Sequence, residues 1–250
     1  FDENASQEDV FEEVSELVQS ALDGYNVCVF SYGQTGSGKT WTMQGNVEDE
    51  KTRGLIPRSV EQIVESAEKL RTDGWEWTLT GQFLEIYNEK IRDLLATKKT
   101  RKEDVTYAIK TDSNGRKSVT NLRRVKLDTA EQVTELMRVA SENRSVASTE
   151  MNAVSSRSHS VFTLSLQGVH KEHNIELNGS LHLVDLAGSE RLSRSKAQGK
   201  NLRETKNINK SLSCLADVFM ALREKRSHVP YRNSKLTYLL QECKNAFLSN

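Results

Sequence analysis

Cysteine is scarce in this 250-residue chain, and its spacing is uninformative. Cys28, Cys214 and Cys243 are odd in number and lie too far apart for a zinc or dithiol motif, which excludes a disulfide scaffold. They read as reduced core or surface thiols. No apolar run reaches membrane-spanning length, and the first residues are acidic rather than signal-like, so the expectation is a cytosolic globular protein. Internal repeats and low-complexity segments are lacking too. Net charge is zero, with 35 basic and 35 acidic residues, so no global field points to a polyanionic partner. At this length the chain is one large domain or two small ones.

What is present is less even than the totals suggest. Residues 1–24 carry Asp2, Glu3, Glu8, Asp9, Glu12, Glu13, Glu16 and Asp23 and no Lys or Arg. Residues 191–244 reverse the balance, with only Glu204, Asp217, Glu224 and Glu242 among many basic side chains. A polyanionic partner for this last part and a merely solvated set of helix faces both fit that segregation.

The stretch that organises the rest is Gly33-Gln34-Thr35-Gly36-Ser37-Gly38-Lys39-Thr40, which fits G-x-x-x-x-G-K-[ST] in full. Asn26–Tyr32 before it is β-branched and aromatic enough for a buried strand, and Trp41-Thr42-Met43 can continue as a helix. Strand, glycine loop and helix is the arrangement in which backbone N–H groups wrap a polyphosphate. Lys39 then reaches the β/γ-phosphates and the Thr40 hydroxyl can ligate Mg²⁺. A nucleoside triphosphate site follows.

Around that loop the pattern alternates strands and helices. Ser6 and Asp9 form a variant capping box for a helix whose stripe is Val10, Phe11, Val14, Leu17, Val18, Ala21 and Leu22, stopped by Gly24. Gly54-Leu55-Ile56-Pro57 opens a second helix to Leu70. Trp75 to Tyr87 reads as a strand, followed by Asn88-Glu89 and a short helix over Ile91–Leu95. Lys98–Asp104 is a charged loop. Val105–Lys110 and Ser118–Leu127 look like strands around the turn signal Asp112-Ser113-Asn114-Gly115. Asp128, with Glu131 completing a capping box, starts a helix to about Ser148. Ser160–Gly168 and Gly179–Asp185 are strand-like, joined near His173-Asn174, and helices follow over Asn201–Arg223 and Asn233–Glu242. The fold class is α/β, with a phosphate-loop NTPase-like central mixed sheet and helices on both faces.

Two more stretches bear on chemistry. Asn152-Ala153-Val154-Ser155-Ser156-Arg157-Ser158-His159 is a polar cluster between helix and strand. Asp185-Leu186-Ala187-Gly188-Ser189-Glu190 ends the apolar strand Leu181–Val184, where a phosphate-loop enzyme holds Mg²⁺ through water and offers a glycine N–H to a γ-phosphate. Singly, each is also an ordinary capping turn or bend.

GQTGSGKT, NAVSSRSH and DLAGSE, in this order and spacing, resemble the phosphate loop and two switches of the kinesin motor domain. FLEIYNE with IRDLL, INKSLS and HVPYRNSKLT are similar as well. ALDGYNVCVF, GLIPRSVEQI, RLSRSKAQGKNLRET and RNSKLTYLLQ most resemble the C-terminal-motor, minus-end-directed group. The likeness covers roughly residues 1–241, so the chain reads as one kinesin motor domain from which residues 242–250 depart.

The resemblance implies a microtubule-stimulated ATPase coupled to movement, working on ATP with Mg²⁺. Gly33, Gln34, Thr35, Gly36, Ser37, Gly38, Lys39 and Thr40 would cradle the phosphates, with Trp41 beside the adenine or simply a core tryptophan. Thr40 and Ser156 would ligate Mg²⁺, with Asp185 behind a water. Ser155, Gly188 and Lys39 would sense the γ-phosphate. Arg157 and Glu190 would pair to close the switches and order the attacking water, with Glu190 taking its proton through a second water. Lys196, Lys200, Arg203, Lys206, Lys210, Arg232 and Lys235 match the microtubule-facing segments. The implied partner is tubulin's acidic surface, with no nucleic acid, no membrane, and a dimer formed through a coiled coil outside this chain. The implied location is the cytoplasm and cytoskeleton, on microtubules and the spindle.

Family members begin with strands that precede Phe1, including an R-x-R-P stretch, and continue past Gln241 into a last strand and helix. Those strands flank the phosphate-loop strand, so Asn26–Tyr32 is expected to have a bare edge and the chain alone to aggregate. Two other readings stay open: a non-hydrolysing microtubule-binding fragment, and an unrelated phosphate-loop enzyme such as a small-molecule kinase.

Overall fold

The computed structural model describes residues 5–97, 105–112, 116–150, 155–190 and 200–245. Helix α1 (Gln7–Leu22) begins where the sequence signals it: Asp9 N–H donates to Ser6 Oγ at 3.1 Å, and Ser6 N–H to the Asp9 carboxylate at 2.7 Å. It ends in a Schellman motif, with Gly24 at φ +94°, Gly24 N–H on Ala21 O and Tyr25 N–H on Ser20 O. Then come β1 (Asn26–Ser31), α2 (Lys39–Met43), α3 (Leu55–Arg71), β2 (Trp75–Tyr87) and β3 (Lys90–Asp93). A small antiparallel pair follows, β4 (Ile109–Thr111) with β5 (Lys117–Val119), then β6 (Val125–Lys126) and α4 (Glu131–Glu150). The long hairpin β7 (His159–His170) and β8 (Ile175–Asp185) precedes α5 (Lys200–Arg223) and α6 (Lys235–Leu239). A 3₁₀ segment, Leu240–Asn245, completes the described chain.

The sheet order is β1-β8-β7-β2-β3, with β6 pairing β2. Among the described residues only β1 and β8 run parallel, so the sheet is mixed, as expected. Side chains alternate across it. One face (Leu79, Phe83, Phe162, Leu164, Leu181, Leu183) packs beneath α1, α3 and α4 through Val18, Leu22, Val60, Ile63, Leu136 and Met137. Phe83 and Phe162 meet edge to face at 5.8 Å, and each fully buried ring contributes roughly 1.5–3 kcal/mol of transfer free energy. The other face changes character along its length. Near the C-terminal end of β8 it is apolar (Leu84, Ile86, Val161, Val184) beneath Leu215 of α5 and Leu236 and Leu239 of α6. Farther along it turns to Thr80, Thr163, Ser165 and Ser180, lining a cavity of about 340 Å³.

Four expectations are corrected. Ile91–Leu95 is not a helix: Asn88 and Glu89, at φ +51° and +59°, make a two-residue hairpin that sends β3 back along β2. Asp93 then turns the chain by accepting Leu95 N–H at 2.8 Å. The segments around Asp112 are shorter than their composition suggested, since Val125 and Lys126 pair with β2 rather than extending β5. At the start of α4, Gln132 takes the place expected of Glu131, its Oε1 accepting the N–H groups of Asp128 and Thr129, while Glu131 bonds the Thr129 side chain instead. The last helix is a single α-helical run, Lys235–Leu239, capped by Ser234 and passing into a 3₁₀ segment. Lys98–Asp104 and most of Asp112–Gly115 lie outside the described residues.

Strand β1 pairs only with β8 among the described residues, so it is the edge strand expected of it. Its sheet face is covered: Asn26 Nδ2 donates to Glu242 O at 3.4 Å, and Cys243 is fully buried with Leu240 in the cluster that includes Cys28 and Phe30.

Candidate nucleotide site and switch region

The β1–β8 register puts Ser31 opposite Asp185, so the phosphate loop leaves its strand directly beside the end of β8. Gly38 stands at φ +89° immediately before α2, a left-handed conformation that glycine alone adopts without strain. Behind it, Thr42 N–H bonds Gly38 O, and Gln7 of α1 donates to Trp41 O at 2.8 Å, fixing α2 from the first helix. The Lys39 ammonium donates to Gln34 O at 2.8 Å, curled over its own loop. Trp41 is 52% exposed, so the core-tryptophan alternative falls away.

A cavity of about 310 Å³ is lined by Thr35, Gly36, Gly38, Lys39, Thr40, Trp41, Ser156 and Leu186. Three segments far apart in sequence therefore share one space. The Thr40 hydroxyl donates to Asp185 Oδ2 at 2.6 Å. Ser155–Arg157 form a 3₁₀ turn leading into β7. The two switch stretches are bonded through their backbones: Gly188 N–H donates to Ser156 O at 2.9 Å, and Ser189 N–H to Gly33 O at 3.0 Å. A Cβ on Gly188 would lie 2.3 Å from Glu190 Oε2 and 2.4 Å from Thr35 Oγ1, so any larger residue would push the Glu190 carboxylate off Thr35.

Glu190 sits on the phosphate loop itself. Thr35 N–H donates to its Oε2 at 3.0 Å and the Thr35 hydroxyl to its Oε1 at 2.5 Å. Burial alone would raise this carboxyl, but the Thr35 bonds and the Lys39 charge hold it below the usual range.

Sequence reading missed the ionic support behind these residues. Glu85 of β2 is fully buried and accepts the Ser158 hydroxyl at 2.6 Å. Arg144 of α4 lies between carboxylates, with Nε 3.4 Å from Glu85 Oε1 and Nη1 3.9 Å from Asp185 Oδ2. Its Nη2 also donates to Ser158 Oγ at 3.4 Å. The one available signal was Glu85 itself, a lone charge inside Phe83-Leu84-Glu85-Ile86-Tyr87, since a carboxylate in an apolar strand requires a partner. Nothing local marked Arg144. His159, named only as the end of the polar cluster, had no role assigned to it from sequence; burial holds its imidazole down at about 4.

Of the basic residues, Lys196 lies outside the described residues, and Lys200, Arg203 and Lys206 fall on the first turns of α5. Lys210 is exposed on α5, Arg232 is exposed in the 3₁₀ turn Tyr231–Asn233, and Lys235 opens α6. Val218, Leu222 and Tyr231 pack α5 against that turn. The Lys235 N–H is capped by Glu89 Oε2 at 2.9 Å.

Comparison with known proteins agrees with this geometry. The kinesin motor domain family model matches residues 1–245. The kinesin-like protein KIN-14N of Oryza sativa subsp. japonica is 54% identical over 246 residues, covering 97% of this chain and 32% of its own length. Carboxy-terminal kinesin 2 of Xenopus laevis is 55% identical over 238 residues, covering 94% of this chain and 37% of its own. The chain thus spans about a third of the length of these curated relatives. Among solved structures, the motor domain of Kar3 from Saccharomyces cerevisiae superposes with a TM-score of 0.83 at 46% identity, over 97% of this chain and 71% of that one. A fast kinesin gives 0.88 at 42% identity, over 97% and 68%. A phosphate loop bonded through its backbone to the Asp185–Glu190 stretch, which is bonded in turn to Ser156, on a sheet that superposes on these motors, places the chain in the kinesin motor domain family, alongside its C-terminal motors.

Proposed function

We propose that this chain is the ATP-hydrolysing, microtubule-binding core of a motor. The observation that carries the reading is the backbone linkage of Gly188 to Ser156 and of Ser189 to Gly33, which makes the phosphate loop and the two switch stretches one connected unit. A change at the γ-phosphate position is therefore felt by both switches, the order–disorder device of nucleotide-driven proteins.

In this reading the backbone of Gly33–Thr40 cradles the phosphates, Lys39 swings from Gln34 O to the β/γ-phosphates, and Trp41 flanks the base. Thr40, Ser156 and Asp185 form a hydroxyl–carboxylate donor set that suits Mg²⁺, which neutralises charge on the β- and γ-phosphates when bound. Gly188 N–H and Ser155 report on the γ-phosphate. Glu190 exchanges Thr35 for Arg157, and the pair orders the attacking water, whose proton Glu190 accepts through a second water. The protein's share is positioning and electrostatic stabilisation, as phosphoryl transfer requires.

Lys196, Lys200, Arg203, Lys206, Lys210, Arg232 and Lys235 meet the acidic surface of tubulin. Nucleic acid is a poor match, because no aromatic platform is interleaved with these charges. Dimerisation would use a coiled coil outside residues 1–250, and the working location is the microtubule cytoskeleton, the spindle included. The non-hydrolysing fragment remains the second reading, motivated by the edge position of β1.

Turnover of ATP by the full-length protein, with and without microtubules, tests this. Stimulation by filaments is the expected result. Filament binding without turnover would favour the fragment, and turnover indifferent to filaments would favour a small-molecule kinase.

A further inference from the structure

One buried titratable side chain near the switches has no part in the chemistry above. His159 is 3% exposed, and each ring nitrogen has a defined partner. Ala187 N–H donates to Nδ1 at 3.1 Å, which makes Nδ1 the acceptor and puts the proton on Nε2. Nε2–H then donates to Ser211 Oγ at 2.7 Å, and the Ser211 hydroxyl donates to Ile208 O at 2.7 Å. With the ring held neutral by burial, this is the one assignment that satisfies every group, and it runs from the loop after β8 into α5.

The ring is rooted on the central sheet, apart from both of its partners. His159 pairs with Ile86 of β2 in the sheet register, and its neighbour Ser158 is bonded to the buried Glu85. Its partners are different in kind. Ala187 directly precedes Gly188, whose own N–H is on Ser156 O, and Ser211 lies one residue beyond the exposed Lys210. Two successive amides, Ala187 and Gly188, thus face opposite duties: one bonds the histidine, the other the switch that senses the γ-phosphate.

We propose that His159 is a positioning residue that couples the Asp185–Glu190 loop to helix α5, so that a shift of Gly188 toward the γ-phosphate is passed through Ala187, the imidazole and Ser211 to the filament-facing helix. The inference rests on the motor reading and adds to it the element through which nucleotide state and filament contact communicate. A histidine that merely filled the core would need neither a directed bond at each nitrogen nor a hydroxyl on a helix that carries the filament contacts.

The test uses three variants of the full-length protein, each measured for basal turnover, microtubule-stimulated turnover and thermal midpoint. Ser211→Ala removes the helix end of the chain and should lower the stimulated rate by about fivefold or more, within the usual range of coupling between sites, with basal turnover unchanged. Ser211→Thr keeps the hydroxyl and should restore stimulation. His159→Asn keeps an acceptor near Ala187 but cannot reach Ser211, so it should lose stimulation as Ser211→Ala does, and the double variant should be no worse than either alone. Should His159→Asn fail to fold, the Ser211 pair decides the matter by itself. Variants that lower the midpoint yet keep the wild-type ratio of stimulated to basal turnover would overturn the coupling role while leaving the motor reading intact. A wild-type protein that microtubules do not stimulate would overturn the motor reading and this inference with it.

Discussion

Strand β7 carries a histidine at each end, and the two rings bond in the same sense in very different company. At the site end, His159 accepts from Ala187 and donates to Ser211, partners 28 and 52 residues away on a loop and a helix. At the far tip, His170 donates from Nε2 to Asp73 O at 2.8 Å and accepts His173 N–H at Nδ1 at 3.3 Å. Its ring stands edge-on to Trp75 at 5.3 Å, and Trp75 is its direct partner in the β2–β7 register. The tip histidine ties a hairpin to the turn that feeds the neighbouring strand, so its partners are a paired strand and the two turns at that end of it. The site histidine joins segments that no ladder holds together. One end of β7 is built for stability and the other for relative movement.

The largest effect should separate the two ends cleanly. Glu190→Ala at the site end is expected to slow hydrolysis by about a thousandfold, equivalent to about 4 kcal/mol, while ATP still binds and the melting transition stays in place. Arg157→Ala should behave alike, whereas Lys39→Ala should weaken nucleotide binding itself. Single-turnover hydrolysis set beside equilibrium nucleotide titration distinguishes them. A Glu190→Ala protein with near-normal turnover would remove the proton-accepting role.

Trp77→Ala at the tip end should show the reverse profile. Trp77 is 8% exposed and its ring lies over Gly168, where an added Cβ would come within 2.7 Å. Emptying that position should cost about 3 kcal/mol of stability in urea unfolding, at the low end for a buried aromatic because the tip is partly open. Turnover per folded molecule should not change. A loss of turnover at full folding would break the division of β7 into two functions.

Acid sharpens the contrast further. His159 is held down to about 4 by burial, against about 6.5 in an unfolded chain. The unfolded state binds the proton first, so this contribution is complete above pH 6.5 and is lost as pH falls toward 4, by about 2–3 kcal/mol. His182 of β8 goes the other way. Burial alone would lower it, but the Cys243 sulfur and the Glu242 carboxylate, 3.3 Å from Nε2, outweigh that and carry it up to about 10. Cys243 moves the opposite way, its thiol brought down to about 6 by bonding to Cys28 and by the His182 charge, so between about pH 6.5 and 9 the proton kept by His182 is balanced by the one Cys243 gives up. Unfolding titrations from pH 4 to 9 should therefore show stability falling on the acid side and little slope from this pair between about pH 7 and 9. Ser211→Ala, which removes a bonding partner of His159, should alter mainly the acid limb.

The smallest single effects are expected on the filament face. Lys210→Ala, Arg232→Ala and Lys235→Ala should each weaken microtubule binding by about 1 kcal/mol or less, as exposed charges do. Wild-type binding should fall steeply with salt, because such contacts are screened over roughly 8 Å at physiological ionic strength. Co-sedimentation across a salt series measures both, and salt-independent binding would mean that this face is only solvated.

Much of the fold was legible because its signals are local. The Ser6–Asp9 box, the Gly24 stop and the long β7–β8 hairpin each rest on residues within a few positions of one another. Ile91–Leu95 misled for the same reason: its composition suits a helix, but two left-handed residues at Asn88 and Glu89 commit the chain to a hairpin, and pairing with β2 overrides propensity. In the site, Thr40 and Asp185 could be paired in advance from their motifs, whereas Arg144, which sits beside Asp185 and Glu85, carries no mark in its own helix.

The amino-acid sequence by itself determined the phosphate-loop pattern and both motif stretches beside it, and with them the polyphosphate reading proposed above. A polyphosphate cradle is made of consecutive backbone N–H groups and glycines, and consecutive requirements are written in consecutive residues. Tertiary structure alone decided that Glu190 rests on Thr35, that Gly188 bonds Ser156, and that His159 joins Ala187 to Ser211. Those bonds join segments that meet only once the sheet is assembled, and at the buried Gly188 and His159 what selects them is the need of each polar group for a partner, which no single stretch of chain can state.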